Sequence, residues 1–150
     1  MTSQQTREQL IEELERSVSD TLAYFEGPGQ ETKARIGDWG GWEVLAHFAY
    51  WHYATAWGIT SATMGGPPWQ LSGSADETNA VCLALLAGQR FGDLSAHLRL
   101  AQERLLRAAH AATDLDAAAF RMSDGREVSI GQRLDTIARH WRGHLDALRG

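Results

Sequence analysis

The chain has 150 residues, a single-domain length, of which 43% are hydrophobic and 22% charged. Fourteen Lys and Arg against 19 Asp and Glu give a net charge of -5, which excludes the strongly basic class of nucleic-acid binders and disfavours adhesion to anionic membranes. The single cysteine, Cys82, excludes an intrachain disulfide framework and any multi-thiolate metal site, and the absence of a leader or a long apolar run predicts one cytoplasmic domain over 1–150.

The elements read as helices. Leu10, Ile11, Leu14, Val18, Leu22 and Phe25 recur at helical spacing and predict a first helix from about Gln4 to Glu26, stopped by Gly27-Pro28-Gly29. A glycine-rich loop leads to a second helix, about Trp42 to Thr63, with Val44, Leu45, Phe48, Thr55 and Ile59 as its main face. Gly65-Gly66-Pro67-Pro68 ends it. Ser74-Ala-Asp-Glu77 matches a capping box and opens a third helical stretch that persists to about Ala112. That is too long for one ordinary helix, so a break is expected between Gly88 and Asp93, with Asp93 capping the second piece.

Leu94, Leu98, Ala101, Leu105, Ala108 and Ala112 form that piece's seam. Asp124-Gly125 predicts a turn, and Ser129-Ile-Gly-Gln132 is a second capping-box match opening the last helix. Its core stripe is Ile130, Leu134, Ile137, Trp141, Leu145 and Leu148. No alternating strand is visible, and Arg126-Glu127-Val128 is too short to count as one. The expectation is an all-α bundle of four amphipathic main helices.

Six histidines are the main carriers of chemistry. His140 and His144 stand four apart on the last helix, one turn above each other, where two imidazoles can share a divalent metal. Alone the pair is weak, because six histidines in this length give about 0.2 such pairs by chance. With Ile130 at 0°, the apolar stripe centres at about 20°, His144 falls at about 320° and His140 at about 280°. Both flank the core, where a third ligand from a neighbouring helix can meet them. On the second helix His47 lies at the edge of the stripe, and the small residues Ala54 and Gly58 along its row are expected to leave space beside it. His52 points nearer the middle of the stripe and competes with it. His97 and His110 read as surface or edge residues.

Several templates are absent. Trp141 follows His140, so the metalloprotease H-E-x-x-H is missing, and no Glu-x-x-His, G-x-G-x-x-G, P-loop or G-x-S-x-G occurs. Cys82 has no local partner to activate it and reads as a small core residue. The six tryptophans read as core and loop anchors, and Trp51 and Trp141, each near a candidate histidine, can also wall a pocket.

Three segments in register resemble the DinB-like metalloprotein superfamily. Gly41-Trp-Glu-Val-Leu-Ala-His47-Phe-Ala-Tyr-Trp51 looks like its second-helix motif, and Ala138-Arg-His140-Trp-Arg-Gly-His144-Leu-Asp-Ala-Leu148 like its last helix. The segment from Trp69 through Asp76 and Asn79 is similar to the start of the third helix in the DfsB/ClbS-like branch. The resemblance implies an up-down-down-up four-helix bundle and a three-histidine site that maps to His47, His140 and His144, demoting His52. It implies zinc or nickel as the metal, and chemistry ranging over bacillithiol- or mycothiol-dependent transfer and isomerisation and, separately, hydrolysis of a cyclopropane in defence against a genotoxin. Mycothiol-dependent isomerases of this kind carry a further C-terminal domain, which a chain ending at Gly150 is expected to lack.

The resulting expectation is a metal-dependent enzyme that activates a thiol or water for attack on a small electrophile, in stress defence or detoxification. Trp51, Asn79 and Trp141 are the expected pocket residues. Tyr50, Tyr53 and Asp76 lie near the right segments without an assigned role. The rival reading is a binding protein with a tryptophan-lined cavity that sequesters a hydrophobic ligand. A third is a helical interaction domain, with Gly131 and Gly143 permitting a homodimer.

Overall fold

The computed structural model describes residues 5–150. They form five α-helices and a small sheet, in the order α1 (Arg7–Phe25), α2 (Gly41–Thr63), β1 (Trp69–Gln70), α3 (Ala75–Leu85), α4 (Phe91–Ala111), β2 (Ala118–Arg121), β3 (Glu127–Ser129) and α5 (Ile130–Arg149). A 3₁₀ turn over Pro28–Glu31 follows α1.

Local chemistry sets the helix ends. Thr6 caps α1 and forms a reciprocal capping box with Gln9; the expected start at Gln4 lies outside the described residues. Ser74 with Glu77 opens α3 and Ser129 with Gln132 opens α5, as the sequence predicts. The expected break is also present, with α3 ending at Leu85 and Gly88 in the left-handed region at φ +87°. Asp93, however, is not the cap. Arg90 holds that position and Asp93 sits three residues on, accepting from the Arg90 backbone N–H at 2.9 Å.

The expected stripes of α1, α4 and α5 are buried. The second helix departs from the amphipathic pattern. Besides its predicted face it buries Ala46, His47, Ala49, Trp51, His52, Ala54, Ala56 and Gly58. It packs against α3, α4, α5 and the sheet at once, so no side of it is left for a continuous polar face.

Paired residues fix the helix directions. Ser17 bonds the Ala138 carbonyl at 3.0 Å and Asp20 pairs with Arg142 at 2.7 Å, so α1 and α5 run together. Trp42 bonds the Gln89 carbonyl just before α4 and His52 bonds Gln102 within it, so α2 and α4 also run together. His47 meets His140 while Thr55 meets Arg133, which sets α2 against α5.

The sheet corrects the all-α expectation. Its order is β1-β2-β3, with β1 parallel and β3 antiparallel to β2 and an irregularity between Ala118 and Phe120. Strands this short show no readable alternation, and the residues dismissed as too short are in large part β3. The Asp124-Gly125 turn is where it was expected, with Gly125 at φ +88°. The sheet sits so close to α2 that a Cβ on Gly58 would lie 2.5 Å from the Ala119 carbonyl oxygen and 2.9 Å from the Phe120 ring. The space expected beside His47 at Gly58 is therefore filled by β2.

Trp57 departs from the anchoring role, being 70% exposed. Gly131 lies under Leu115 of its own chain, 3.5 Å from the position a Cβ would take, whereas Gly143 has open space. Among the described residues no helix is long and apolar enough to cross a membrane.

Candidate metal centre and its cavity

One turn of α2 and two turns of α5 bring three imidazoles together. His47, His140 and His144 each offer a ring nitrogen, and these atoms lie within 4.8 Å of one another. His47 is buried, His144 half-buried and His140 exposed. The Nε2 atoms of His47 and His140 are 3.2 Å apart. Two nitrogens bound tetrahedrally to one zinc at its usual bond length stand about 3.3 Å apart, so the spacing suits a shared dication.

The tautomer of His47 follows from its partners. The Trp51 indole N–H can only donate, and it donates to Asn79 Oδ1 at 2.6 Å, which identifies that atom as the oxygen. His47 Nδ1 lies 3.0 Å from the same oxygen and must donate to it. The proton is thus held on Nδ1, and the Nε2 lone pair faces His140 and His144. Such an acceptor behind a metal-binding imidazole orients the ring and raises its basicity.

Electrostatics favours the neutral, ligating form. Burial is the largest cause of the drop in the His47 pKa to about 3, with the neighbouring His140 adding to it. Although the residue as a whole is exposed, desolvation of the part of the His140 ring turned to the site, then His144, brings its pKa down to about 4, and burial lowers that of His144 as well.

His52 is placed on a different side of α2. Trp141 Nε1–H donates to His52 Nδ1 at 3.0 Å, so the His52 proton resides on Nε2 and is donated to Gln102 at 2.5 Å. Both nitrogens are engaged and no lone pair is free. His52 instead anchors Trp141, whose ring packs on Phe48 with centroids 4.1 Å apart. Phe48 also stacks with His144 at 5.8 Å, so the core continues to the edge of the triad.

A cavity of about 540 Å³ opens beside the triad. His47, His140 and all three expected pocket residues, Trp51, Asn79 and Trp141, line it. Tyr50, Tyr53 and Asp76 do not. Tyr53 faces His97 instead, with ring centroids 6.3 Å apart. Cys82 is buried elsewhere, its Sγ 3.4 Å from the Ala46 carbonyl oxygen, and burial pushes its thiol up to about 12. Sequence reasoning missed Phe120, which the unseen strand β2 supplies, and Arg133. At about 300° on the α5 wheel, Arg133 shares the row of the two histidines, a signal that was present.

No protein-family model matches the chain, and no curated protein matches it in sequence. Among solved structures, its fold is similar to that of the mycothiol-dependent maleylpyruvate isomerase and of a histidine-to-alanine variant of that enzyme. Each aligns with a TM-score of 0.80 and 17% sequence identity, covering 99% of this chain and 63% of the neighbour. The chain thus spans less than two thirds of the length of the structures it matches. At this identity the likeness shows the fold.

Proposed function

We propose that the chain is a single-domain, metal-dependent enzyme in which His47, His140 and His144 hold a divalent ion, zinc or nickel. The observation that carries this is the convergence of three neutral imidazole nitrogens on one point, with the His47 proton parked on the far side by Asn79. A dication held by three neutral ligands keeps its charge and an open position, and there it lowers the pKa of a thiol or water towards neutrality. The chain's own residues do the rest. Asn79 fixes the His47 ring, His52 and Gln102 fix Trp141, and the indoles of Trp51 and Trp141 with the Phe120 ring give the cavity an apolar wall beside the triad. The reaction in this reading is attack by a low-molecular-weight thiol or water on a small electrophile, in detoxification or stress defence in the cytoplasm.

The fold supports the reading at a coarser level. The directions of α1, α2, α4 and α5 agree with an up-down-down-up bundle, the DinB-like arrangement implied by the sequence resemblance. The structural neighbour is named for mycothiol dependence, which makes a thiol cosubstrate the first to test.

The test is metal content by mass spectrometry on untagged protein, beside the His140→Ala/His144→Ala double variant. Near-stoichiometric metal in the first and none in the second is expected; equal content in both overturns the assignment. A second reading is sequestration without turnover. It is favoured by the aromatic cavity and by the absence of an unpaired carboxylate among its lining residues, Glu127 being paired with Arg121. Ligand binding that persists in chelated protein, with no turnover by the metal-loaded form, would establish it.

A further inference from the structure

Arg133 is the cavity's unexplained group. It lies on α5 two turns before His140, and about 10 Å separates the two along the helix axis. Among the described residues it takes part in no ion pair. Among the described residues its side chain makes one hydrogen bond, from Nε to Thr55 Oγ1 at 2.9 Å, and Thr55 is itself fixed by donating to the Trp51 carbonyl at 2.8 Å. The guanidinium carbon stands 4.4 Å from the Phe120 ring centre and 5.6 Å from that of Trp51. The group is thus held from behind through Nε and lies against two aromatic rings. Its two terminal nitrogens carry four N–H donors without a protein acceptor. Neither nitrogen is sealed away from solvent-sized space, and Arg133 lines the cavity, so these donors are open to it.

A largely buried cation with no counter-charge is costly unless something else neutralises it. The other charged lining residues do not. Glu127 is paired with Arg121, and Arg126 adds a second positive charge at the exposed rim. We propose that the cavity binds a ligand carrying a carboxylate, seated on the terminal nitrogens of Arg133 with its apolar body along Trp51 and Phe120. The planar guanidinium fork matches a carboxylate through two parallel hydrogen bonds. One buried cation suits a monoanion better than a phosphate monoester, whose charge is nearly twice as large. The aromatic walls beside Arg133 favour an apolar acid, which assigns the carboxylate to the electrophile and not to a polar thiol. Where the ligand's other end reacts rests on the metal-centred reading above; the anion seat rests on Arg133 alone.

The test compares 3-phenylpropanoate with its neutral amide, 3-phenylpropanamide, by quenching of tryptophan fluorescence. It uses the metal-free and zinc-loaded protein and the Arg133→Gln and Arg133→Met variants. The expected result is an acid preference of about tenfold or more in both unaltered forms, as charge-assisted hydrogen bonds produce. In the variants it should fall to about twofold or less, with zinc stoichiometry unchanged. Equal binding of acid and amide by the unaltered protein overturns the proposal, and that comparison stands even if the variants do not fold. A preference confined to zinc-loaded protein and surviving Arg133→Gln also overturns it, because the metal then takes the carboxylate and the metal-centred reading survives. An Arg133-dependent preference in a protein that holds no metal supports the anion seat while the metal-centred reading fails.

Discussion

Asn79 offers the sharpest test of how the triad is organised. Its side-chain oxygen accepts from His47 Nδ1 at 3.0 Å and from Trp51 Nε1 at 2.6 Å. Asn79→Ala removes this one acceptor and with it both hydrogen bonds. In metal-free protein the loss is two hydrogen bonds of about 1 kcal/mol each. Water admitted by the cavity can replace part of it, so a destabilisation of about 1–2 kcal/mol is expected in urea unfolding. The effect on metal binding is distinct. Without the acceptor the His47 proton is free to move to Nε2 and the ring is free to turn, and loss of such a partner weakens metal affinity about 10- to 100-fold. That is about 1.4–2.8 kcal/mol on the binding free energy. Asn79→Asp keeps the shape and strengthens the acceptor, so it should bind zinc at least as tightly as the unaltered protein. Competition against a chromophoric chelator measures all three. Zinc affinity for Asn79→Ala within about twofold of the unaltered value would refute the claim that Asn79 sets the tautomer.

Three further outcomes follow from the same structure. Burial holds His52 at about 4 in the folded chain against its ordinary 6.5, so the unfolded chain binds more protons between those values and stability falls as pH drops through them. His52 alone should cost about 2 kcal/mol between pH 7 and 5 in metal-free protein, with His47 and His140 acting in the same direction; pH-independent urea midpoints would contradict this. Gly58→Ala places a methyl against the Ala119 carbonyl and should lower stability by about 1–3 kcal/mol, and a denaturant midpoint unchanged from the parent would show that β2 yields easily. Cys82, fully buried with its thiol raised to about 12, should react with an aromatic disulfide reagent only as the protein unfolds; rapid native labelling would show otherwise.

The capping boxes at Ser74 and Ser129 and the stripes of α1, α4 and α5 were legible because each is a local pattern a few residues long. The choice between His47 and His52 was not legible from spacing. Five residues apart on a helix packed on most of its sides, both face packed neighbours, and burial alone does not rank them. What separates them is the partner on each nitrogen: Asn79 of α3 and the facing His140 of α5 for His47, Gln102 of α4 and the Trp141 indole of α5 for His52. The sheet was hidden for another reason. Its strands are two to four residues long, shorter than the alternation that would announce them. Arg133 lay on the histidine row of the wheel, yet its importance depends on Thr55, Phe120 and the lack of a carboxylate, all set by tertiary contact.

The close seat of β2 on α2 at Gly58 divides the labour of the cavity between two kinds of scaffold. The triad nitrogens are carried by long helices, whose positions are tied to the whole core. The far wall, from Phe120 through Val128, belongs to a hairpin whose register is set by backbone bonds and the turn at Gly125. Exchanging Met122, Arg126 or Val128 alters the shape and charge of the entrance without disturbing the main-chain ladder or the imidazoles. Such a molecule can drift from one ligand to another through its hairpin while its reactive centre stays in place.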